Sequence, residues 1–162
     1  MQESLHDHVL DLVIAKIKAE HIPGNPLDLK TTMGSLIDNR AVERVTKYVE
    51  IGKNEGAKLV LGDEPPAMPD AISGGFYFSP TIFTDVKQNM KIAQEEIFGP
   101  VMCVFKWSDE DKMWNDVNSV EYGLTGAVYS SNTGTAHRAA KRMEAGYIWI
   151  NNNATHFLGV PL

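Results

Sequence analysis

Apolar residues recur at helical spacing in two stretches near the start of the chain. The first stretch, residues 4–20, predicts an amphipathic helix that Ser4 followed by Asp7 can cap. Its apolar positions are Leu5, Val9, Leu12, Val13 and Ile17. After a Pro- and Gly-rich loop at residues 23–34, Asp38 can cap a second helix. The predicted apolar face of that helix consists of Ala41, Val45, Tyr48 and Val49.

Short apolar and aromatic runs alternate with helical patterns in the rest of the chain. Strands are expected at residues 58–61, 76–83, 101–107, 124–129 and 147–151, and helices at residues 90–96, 109–118 and 133–145. Pro80 favours an edge position or an interruption, whereas the continuous apolar run of 101–107 is typical of a strand covered on both faces. Strand–helix–strand order requires crossover connections. The pattern therefore predicts an α/β fold, a mostly parallel sheet with helices on both faces.

Composition and charge mainly exclude certain partners and cellular locations for this chain. A chain of 162 residues, 43% apolar and 22% charged, fits a single globular domain over 1–162. With 21 acidic and 15 basic residues the formal charge is -6, so nucleic acid is not an expected partner. No apolar stretch approaches the roughly 20 residues of a membrane-spanning helix, so no membrane association is expected. The first ten residues lack a basic and apolar leader, and Cys103 is the only cysteine, which predicts a cytoplasmic protein without disulfides.

Residues 95–101, Glu-Glu-Ile-Phe-Gly-Pro-Val, carry the most informative chemistry. An acid and an aromatic residue two positions apart precede a Gly-Pro turn at a strand end, where α/β sheets commonly bind ligands. The alternative is a helix end whose acids are solvated and whose Phe98 belongs to the core. Both interpretations are open on these residues alone.

Blocks along the whole chain resemble one family. Residues 95–101, preceded by Phe-Ser-Pro-Thr-Ile-Phe-Thr-Asp-Val at 78–86, are similar to a signature segment of the aldehyde dehydrogenase superfamily. Further blocks in the family's order and spacing are Gly24–Asp28, Gly52–Lys58, Asn118 with Glu121–Leu124, Arg138 with Ala139, and Glu144–Gly146 leading into Ile148–Asn151. The resemblance covers essentially all 162 residues. It implies part of the catalytic domain of an NAD(P)-dependent aldehyde dehydrogenase, without the dinucleotide-binding domain.

The resemblance implies two cofactor contacts. Glu96 corresponds to the acid that accepts hydrogen bonds from the nicotinamide ribose hydroxyls, and Phe98 to the aromatic residue beside the nicotinamide ring. Arg44 corresponds to a basic residue that helps to hold the cofactor in some relatives, although the glutamine that accompanies it there is Ala41 here. The cofactor of the parent family is NAD or NADP, and we expect this chain alone to bind neither.

The residues after Asn151 align with the family's loop along the aldehyde channel. The substrate-channel residues implied by this alignment are Asn153, His156 and Phe157. An aromatic residue and a histidine in this loop would favour aromatic or polar aldehydes. The alternative interpretation is a mobile terminal tail.

No residue of this chain is predicted to be catalytic. The family's reaction needs a cysteine thiolate that attacks the aldehyde, and that nucleophile aligns upstream of Met1, as do the family's catalytic glutamate and asparagine. Cys103 stands within an apolar run, where a neutral packed thiol is expected. No metal site is predicted, since His6 and His8 project in different directions on one helix, and surface positions are expected for His21 and His137.

Three functions follow as competing hypotheses. The first is a part of an aldehyde dehydrogenase that is inert alone, and the second is a non-catalytic module that assembles with itself or with a full-length relative through unpaired strand edges. An oligomer of identical chains is expected on this basis. The third, a weak nucleotide sensor around Glu96, offers only two contacts against the entropic cost of association.

Overall fold

The structure, a computed structural model, describes residues 1–63 and 66–154, which divide into two compact units. Unit 1 is Met1–Ser108, and unit 2 begins at Asp109. That residues 1–162 work as a single domain stays a prediction. Unit 1 contains α1 (Glu3–Glu20), α2 (Asn39–Asn54), β1 (Lys58–Leu61), a short 3₁₀ helix (Asp70–Ile72), β2 (Thr81–Thr84), α3 (Lys91–Gln94) and β3 (Val101–Cys103). Unit 2 contains α4 (Glu110–Val117), β4 (Thr125–Val128), α5 (Thr133–Arg142) and β5 (Tyr147–Ile150).

The predicted α/β fold is confirmed, with two parallel strand pairs and one antiparallel pair among the described residues. In unit 1 the strand order is β1-β2-β3, where β1 pairs antiparallel and β3 parallel with β2. Phe83 of β2 packs with Val45 and Val49 of α2, whereas the adjacent Ile82 packs with Leu10 of α1. Helices therefore cover both faces of this sheet. In unit 2, β4 and β5 pair in parallel.

Helix α1 forms where the pattern predicted it, but with a different cap and a rotated buried face. No side chain caps it, so the prediction for Ser4 is wrong; instead the Glu3 N–H donates to the Trp107 carbonyl over 2.8 Å. The buried residues are His6 and Leu10, while the side chains of two predicted core positions are more than half exposed. Those two are Leu5 and Leu12. The face is rotated by about one residue because the His6 ring finds a buried hydrogen-bond partner, the Thr84 hydroxyl.

The prediction for α2 is confirmed at its start and along its buried face. The Asp38 side chain accepts the Ala41 N–H over 2.8 Å, satisfying a donor that the helix leaves unpaired. That hydrogen bond and the neighbouring Arg40 lower the pKa of the Asp38 carboxyl. Residues at helical spacing are buried against the core, namely Ala41, Val45, Val49 and Gly52.

Two predicted strands are shorter than expected. β2 begins at Thr81, directly after Pro80, so the proline interrupts the extended run of 76–83 while the strand itself is central in its sheet. The run 101–107 ends as a regular strand at Cys103. Its predicted burial on both faces is wrong, since Met102 is 41% exposed. β3 is an edge strand of the sheet described for unit 1, which leaves part of it uncovered.

Helix α5 ends earlier than predicted because the Asn118 side chain forms a hydrogen bond with its last carbonyl. The Asn118 amide donates to the Arg142 carbonyl over 2.8 Å and accepts the Glu144 N–H over 3.1 Å. The two bonds end the helix at Arg142, three residues before the predicted end at residue 145. In the part of the chain that the structure describes, no helix combines the length and the apolar character that a membrane crossing would need.

Candidate functional site

The segment 95–100 leaves α3 and leads into β3, and side chains of α2 hold it. The Pro100 carbonyl accepts the Thr81 N–H over 2.8 Å, which joins the end of the segment to β2. Ile97 is buried in the core cluster formed by α2, α3 and β2. The segment is thus fixed at its centre and its end, so the side chains between these points have defined positions.

Glu95, the first acid of the pair, is tied to the protein. Its carboxylate accepts the Tyr48 hydroxyl over 2.6 Å and pairs with the Lys91 ammonium over 2.8 Å. Lys91, and then Tyr48, lower the pKa of the Glu95 carboxyl, and Glu95 in turn raises the pKa of Lys91. Glu95 is therefore occupied in fixing the segment.

Arg44 holds the middle of the same segment through its backbone. Its guanidinium donates from Nε to the Ile97 carbonyl over 3.1 Å and from Nη2 to the Phe98 carbonyl over 3.0 Å. Gly99 lies so close to α2 that an added Cβ would stand 2.3 Å from Cγ2 of Val45. The close approach explains why a glycine is needed at this turn.

Glu96 and Phe98 both face solvent. Glu96 is exposed, and no hydrogen bond joins its side chain to any residue within 1–63 and 66–154. Phe98 is 71% exposed, so the alternative that placed it in the core is wrong. A free carboxylate can accept hydrogen bonds from two neighbouring hydroxyls, and an exposed ring offers a flat apolar surface. These groups suit a ribose diol joined to an aromatic ring, so the residues present fit the nicotinamide half of a dinucleotide.

The predicted substrate-channel residues are only partly described. Asn153 is exposed, and its backbone N–H donates to the side-chain carbonyl of Asn152 over 2.8 Å. His156 and Phe157 lie outside the described residues. Just before them, the Asn151 side chain accepts the Ser130 N–H over 2.8 Å and donates to the Ser130 carbonyl over 3.0 Å, which fixes the end of β5.

The only thiol of the chain is a poor nucleophile. Cys103 is half-buried in β3, and its Sγ lies 3.4 Å from the Ile92 carbonyl. Burial raises its pKa from the usual value of 9.0 to about 11, so the thiolate is scarce near neutral pH. The expectation of a neutral packed thiol agrees with this environment.

The contacts of Tyr48 and Lys91 with Glu95 are not predicted by the sequence pattern. Tyr48 was assigned to the apolar face of α2, yet its hydroxyl reaches Glu95. Sequence spacing could have indicated these contacts, because Arg44 and Tyr48 stand four residues apart on one helix, and Lys91 and Glu95 are also four residues apart. His21 and His137 are exposed, as expected. No three His, Cys, Asp or Glu side chains gather into a metal-binding group within the described part of the chain.

Comparison with known proteins shows which family contains this sequence. The model of the aldehyde dehydrogenase family matches residues 1–161. The chain belongs to the aldehyde dehydrogenase family. Aldehyde dehydrogenase tropH of Talaromyces stipitatus is 46% identical over 165 residues, which cover 99% of this chain and 32% of that protein. The chain thus spans about a third of the length of such a relative.

Solved aldehyde dehydrogenase structures share the fold. Betaine aldehyde dehydrogenase of Staphylococcus aureus in complex with NAD+ superimposes with a TM-score of 0.92 at 34% identity, covering 99% of this chain and 31% of that one. Aldehyde dehydrogenase KauB of Pseudomonas aeruginosa gives a TM-score of 0.89 at 42% identity, covering 96% of this chain and 30% of that one. The Staphylococcus aureus enzyme, an aldehyde dehydrogenase that shares this fold, has therefore been solved with NAD+ bound.

Proposed function

We propose that this chain is a part of an NAD(P)-dependent aldehyde dehydrogenase that supplies one wall of the nicotinamide site. The observation that carries the proposal is the exposure of Glu96 and Phe98 on one loop fixed by α2. When bound, the nicotinamide supplies the hydride acceptor for oxidation of an aldehyde to a carboxylic acid. Glu96 orients the ribose through its hydroxyls, and Phe98 limits the positions open to the ring.

The aldehyde channel of the same enzyme is proposed at the loop that follows β5. Asn153, which is exposed, contributes an amide to it, and His156 and Phe157 contribute an imidazole and an aromatic ring. Such side chains favour aromatic or polar aldehydes over short aliphatic ones. A cytoplasmic location, inferred from the single cysteine, belongs to the same proposal.

The cofactor role is tested in a chimaera in which residues 1–162 replace the matching segment of the Staphylococcus aureus enzyme. Glu96→Gln keeps the size of the side chain but weakens acceptance from two hydroxyls. We expect it to raise the KM for NAD+ about tenfold. Asp11→Asn removes an equal charge from the exposed face of α1 and serves as the matched control. Equal KM values for Glu96→Gln and the unchanged chimaera would refute the cofactor role.

By itself the chain is proposed not to turn over aldehyde. Its only thiol is Cys103, and a pKa of about 11 leaves that group protonated under assay conditions. Purified chain with benzaldehyde and NAD+ should therefore give no absorbance of reduced cofactor at 340 nm. Formation of benzoate that disappears in Cys103→Ser would overturn this part of the proposal.

A second candidate function, association with another copy or with a full-length relative, is favoured by exposed apolar side chains. In unit 1, Leu27, Leu29 and Ile37 are 90%, 102% and 88% exposed. In unit 2 the described sheet has two strands, β4 and β5, so each of them is an edge strand among the described residues. Apolar side chains and strand edges of this kind are typical of surfaces that another chain covers.

The association is tested by size-exclusion chromatography with light scattering. We expect the unchanged chain to elute as an oligomer, and Leu29→Asp to shift it toward the monomer because a charge cannot be buried in an apolar contact. Asp28→Asn, at the neighbouring position in the same loop, is the control for a local change without loss of apolar surface. A monomer at every concentration of the unchanged chain would contradict this function.

A further inference from the structure

The backbone of the loop between α3 and β3 adopts an unusual conformation at Phe98. Its φ angle is +52°, in the left-handed region that residues with a Cβ rarely occupy. A bulky aromatic residue stays in this region only when surrounding contacts enforce it, and such residues cluster at functional sites.

Arg44 contacts the two carbonyls that flank the left-handed residue. One hydrogen bond reaches the Ile97 carbonyl, which precedes the Phe98 nitrogen, and the other reaches the carbonyl of Phe98 itself. A planar guanidinium spans two acceptors in a fixed geometry, whereas an ammonium is a single point donor. The bidentate contact therefore fixes the peptide groups on either side of Phe98 and, through them, its φ and ψ angles.

The neighbouring contacts hold residues before and after Phe98 and do not bond to the carbonyls of Ile97 and Phe98. Tyr48 and Lys91 hold the Glu95 side chain, two peptide groups before the Ile97 carbonyl. Val45 packs against Gly99 on the other side. Among the described residues only Arg44 bonds to the backbone carbonyls of both Ile97 and Phe98.

From this geometry we infer that Arg44 is a positioning residue, which holds Phe98 in the left-handed conformation and so presents Glu96 and Phe98 together to the cofactor. The inference rests on the proposed function of those two residues. In this role Arg44 acts on the loop through two of its hydrogen-bond donors and makes no charge contact with the cofactor. A charge contact would tolerate lysine, whereas a bidentate contact would not.

The first experiment measures the loop in the 162-residue chain without any ligand. Three-bond couplings across the Phe98 amide report its φ angle by nuclear magnetic resonance. We expect φ to leave the left-handed region in both Arg44→Lys and Arg44→Ala and to stay there in Arg40→Ala. Arg40 is the matched control, a cation one turn earlier on α2 whose side chain is 89% exposed. Ethylguanidinium, but not ethylammonium, should restore the original coupling in Arg44→Ala.

The second experiment measures the consequence in the chimaera described above. Arg44→Lys should raise the KM for NAD+ about tenfold, and Arg40→Ala should change it less than about twofold. A left-handed Phe98 in folded Arg44→Lys, or an unchanged KM for NAD+ in that variant, overturns the positioning role. An unchanged KM in Glu96→Gln instead overturns the proposed function, while the coupling data on Arg44 would still stand, so the two failures are distinguishable.

Discussion

Single side chains set the chemical limits of this chain, and Cys103 is the clearest case. Burial in β3 raises its pKa from 9.0 to about 11, so the folded chain retains the thiol proton more tightly than the unfolded chain. A group with a raised pKa in the folded state contributes stability below the unfolded pKa, and that contribution is lost as pH rises toward the folded pKa. Here the window runs from pH 9 to pH 11.

Stability should therefore fall across that window in a way that depends on the thiol. We expect the unfolding free energy of the unchanged chain to drop by roughly 1–2 kcal/mol more than that of Cys103→Ser, since the thiol is only half-buried. Urea denaturation at pH 8, 9, 10 and 11 measures both proteins. Parallel pH profiles for the two would contradict the burial of this thiol.

The contact between Gly99 and Val45 gives a second prediction at the residue scale. Gly99→Ala places a methyl group 2.3 Å from Cγ2 of Val45 and should cost about 1–3 kcal/mol, because Val45 lies in a packed core and cannot easily move aside. Val45→Ala removes that methyl group and should recover part of this cost in the double variant. Thermal denaturation of the four proteins in the cycle measures the coupling, and strict additivity would argue against the contact.

At the scale of elements, one buried polar contact joins α1 to β2. His6 is 1% exposed, and its Nε2 shares a hydrogen bond of 3.0 Å with the Thr84 hydroxyl, while Nδ1 lies 2.7 Å from the Asp7 carboxylate. Both ring nitrogens are therefore satisfied although the ring is inside. Such a contact fixes the rotation of the helix about its axis, which apolar packing alone leaves less well defined.

Loss of the hydroxyl should loosen this attachment. Thr84→Val keeps the shape of the side chain and leaves one buried ring nitrogen without a partner, which costs about 1–3 kcal/mol. Chemical denaturation followed by circular dichroism measures the change. Thr46→Val, an exposed threonine on α2, is the control and should change stability by less than about 0.5 kcal/mol. Equal effects of the two substitutions would contradict a special role for Thr84.

The sequence predicted the elements well wherever local signals agreed with tertiary packing. Asp38 and the periodic residues of α2 act over one or two helical turns, so pattern and structure coincide. The buried face of α1 could not be predicted correctly because His6, a polar residue, is buried against a partner far along the chain, Thr84. Likewise, Asn118 ends α5 from 24 residues away, which no local pattern reveals.

Prediction of the candidate site had the same limit. The motif at 95–101 identified Glu96 and Phe98, but the interpretation of their roles came from the resemblance to a family. Residue pattern alone could not separate an exposed Phe98 from a buried one, since an aromatic side chain fits both environments. The hydrogen bonds from Arg44 depend on the close approach of two elements 53 residues apart.

At the scale of the whole molecule, charge opposes the association proposed above. The formal charge of -6 makes identical chains repel one another, while the exposed apolar side chains attract. Added salt screens the repulsion and leaves apolar attraction largely intact. The oligomeric fraction should therefore increase with ionic strength.

Light scattering at a fixed protein concentration tests this expectation. Between 50 and 500 mM sodium chloride we expect the weight-average mass to rise, because the screening length falls from about 14 Å to about 4 Å. Leu29→Asp, which adds charge and removes apolar surface, should show a smaller rise. Dissociation at high salt would instead indicate ion pairs as the basis of assembly and contradict an apolar interface.

The central position of β2 has a further consequence for how unit 1 opens. All four residues of this strand are buried, and it lies between an antiparallel and a parallel neighbour with a helix-bearing cluster on each face. Its amide hydrogens can reach solvent deuterium only when both layers separate. Ile82 and Phe83 should consequently be among the slowest-exchanging amides in unit 1, and their exchange rates would measure its global opening.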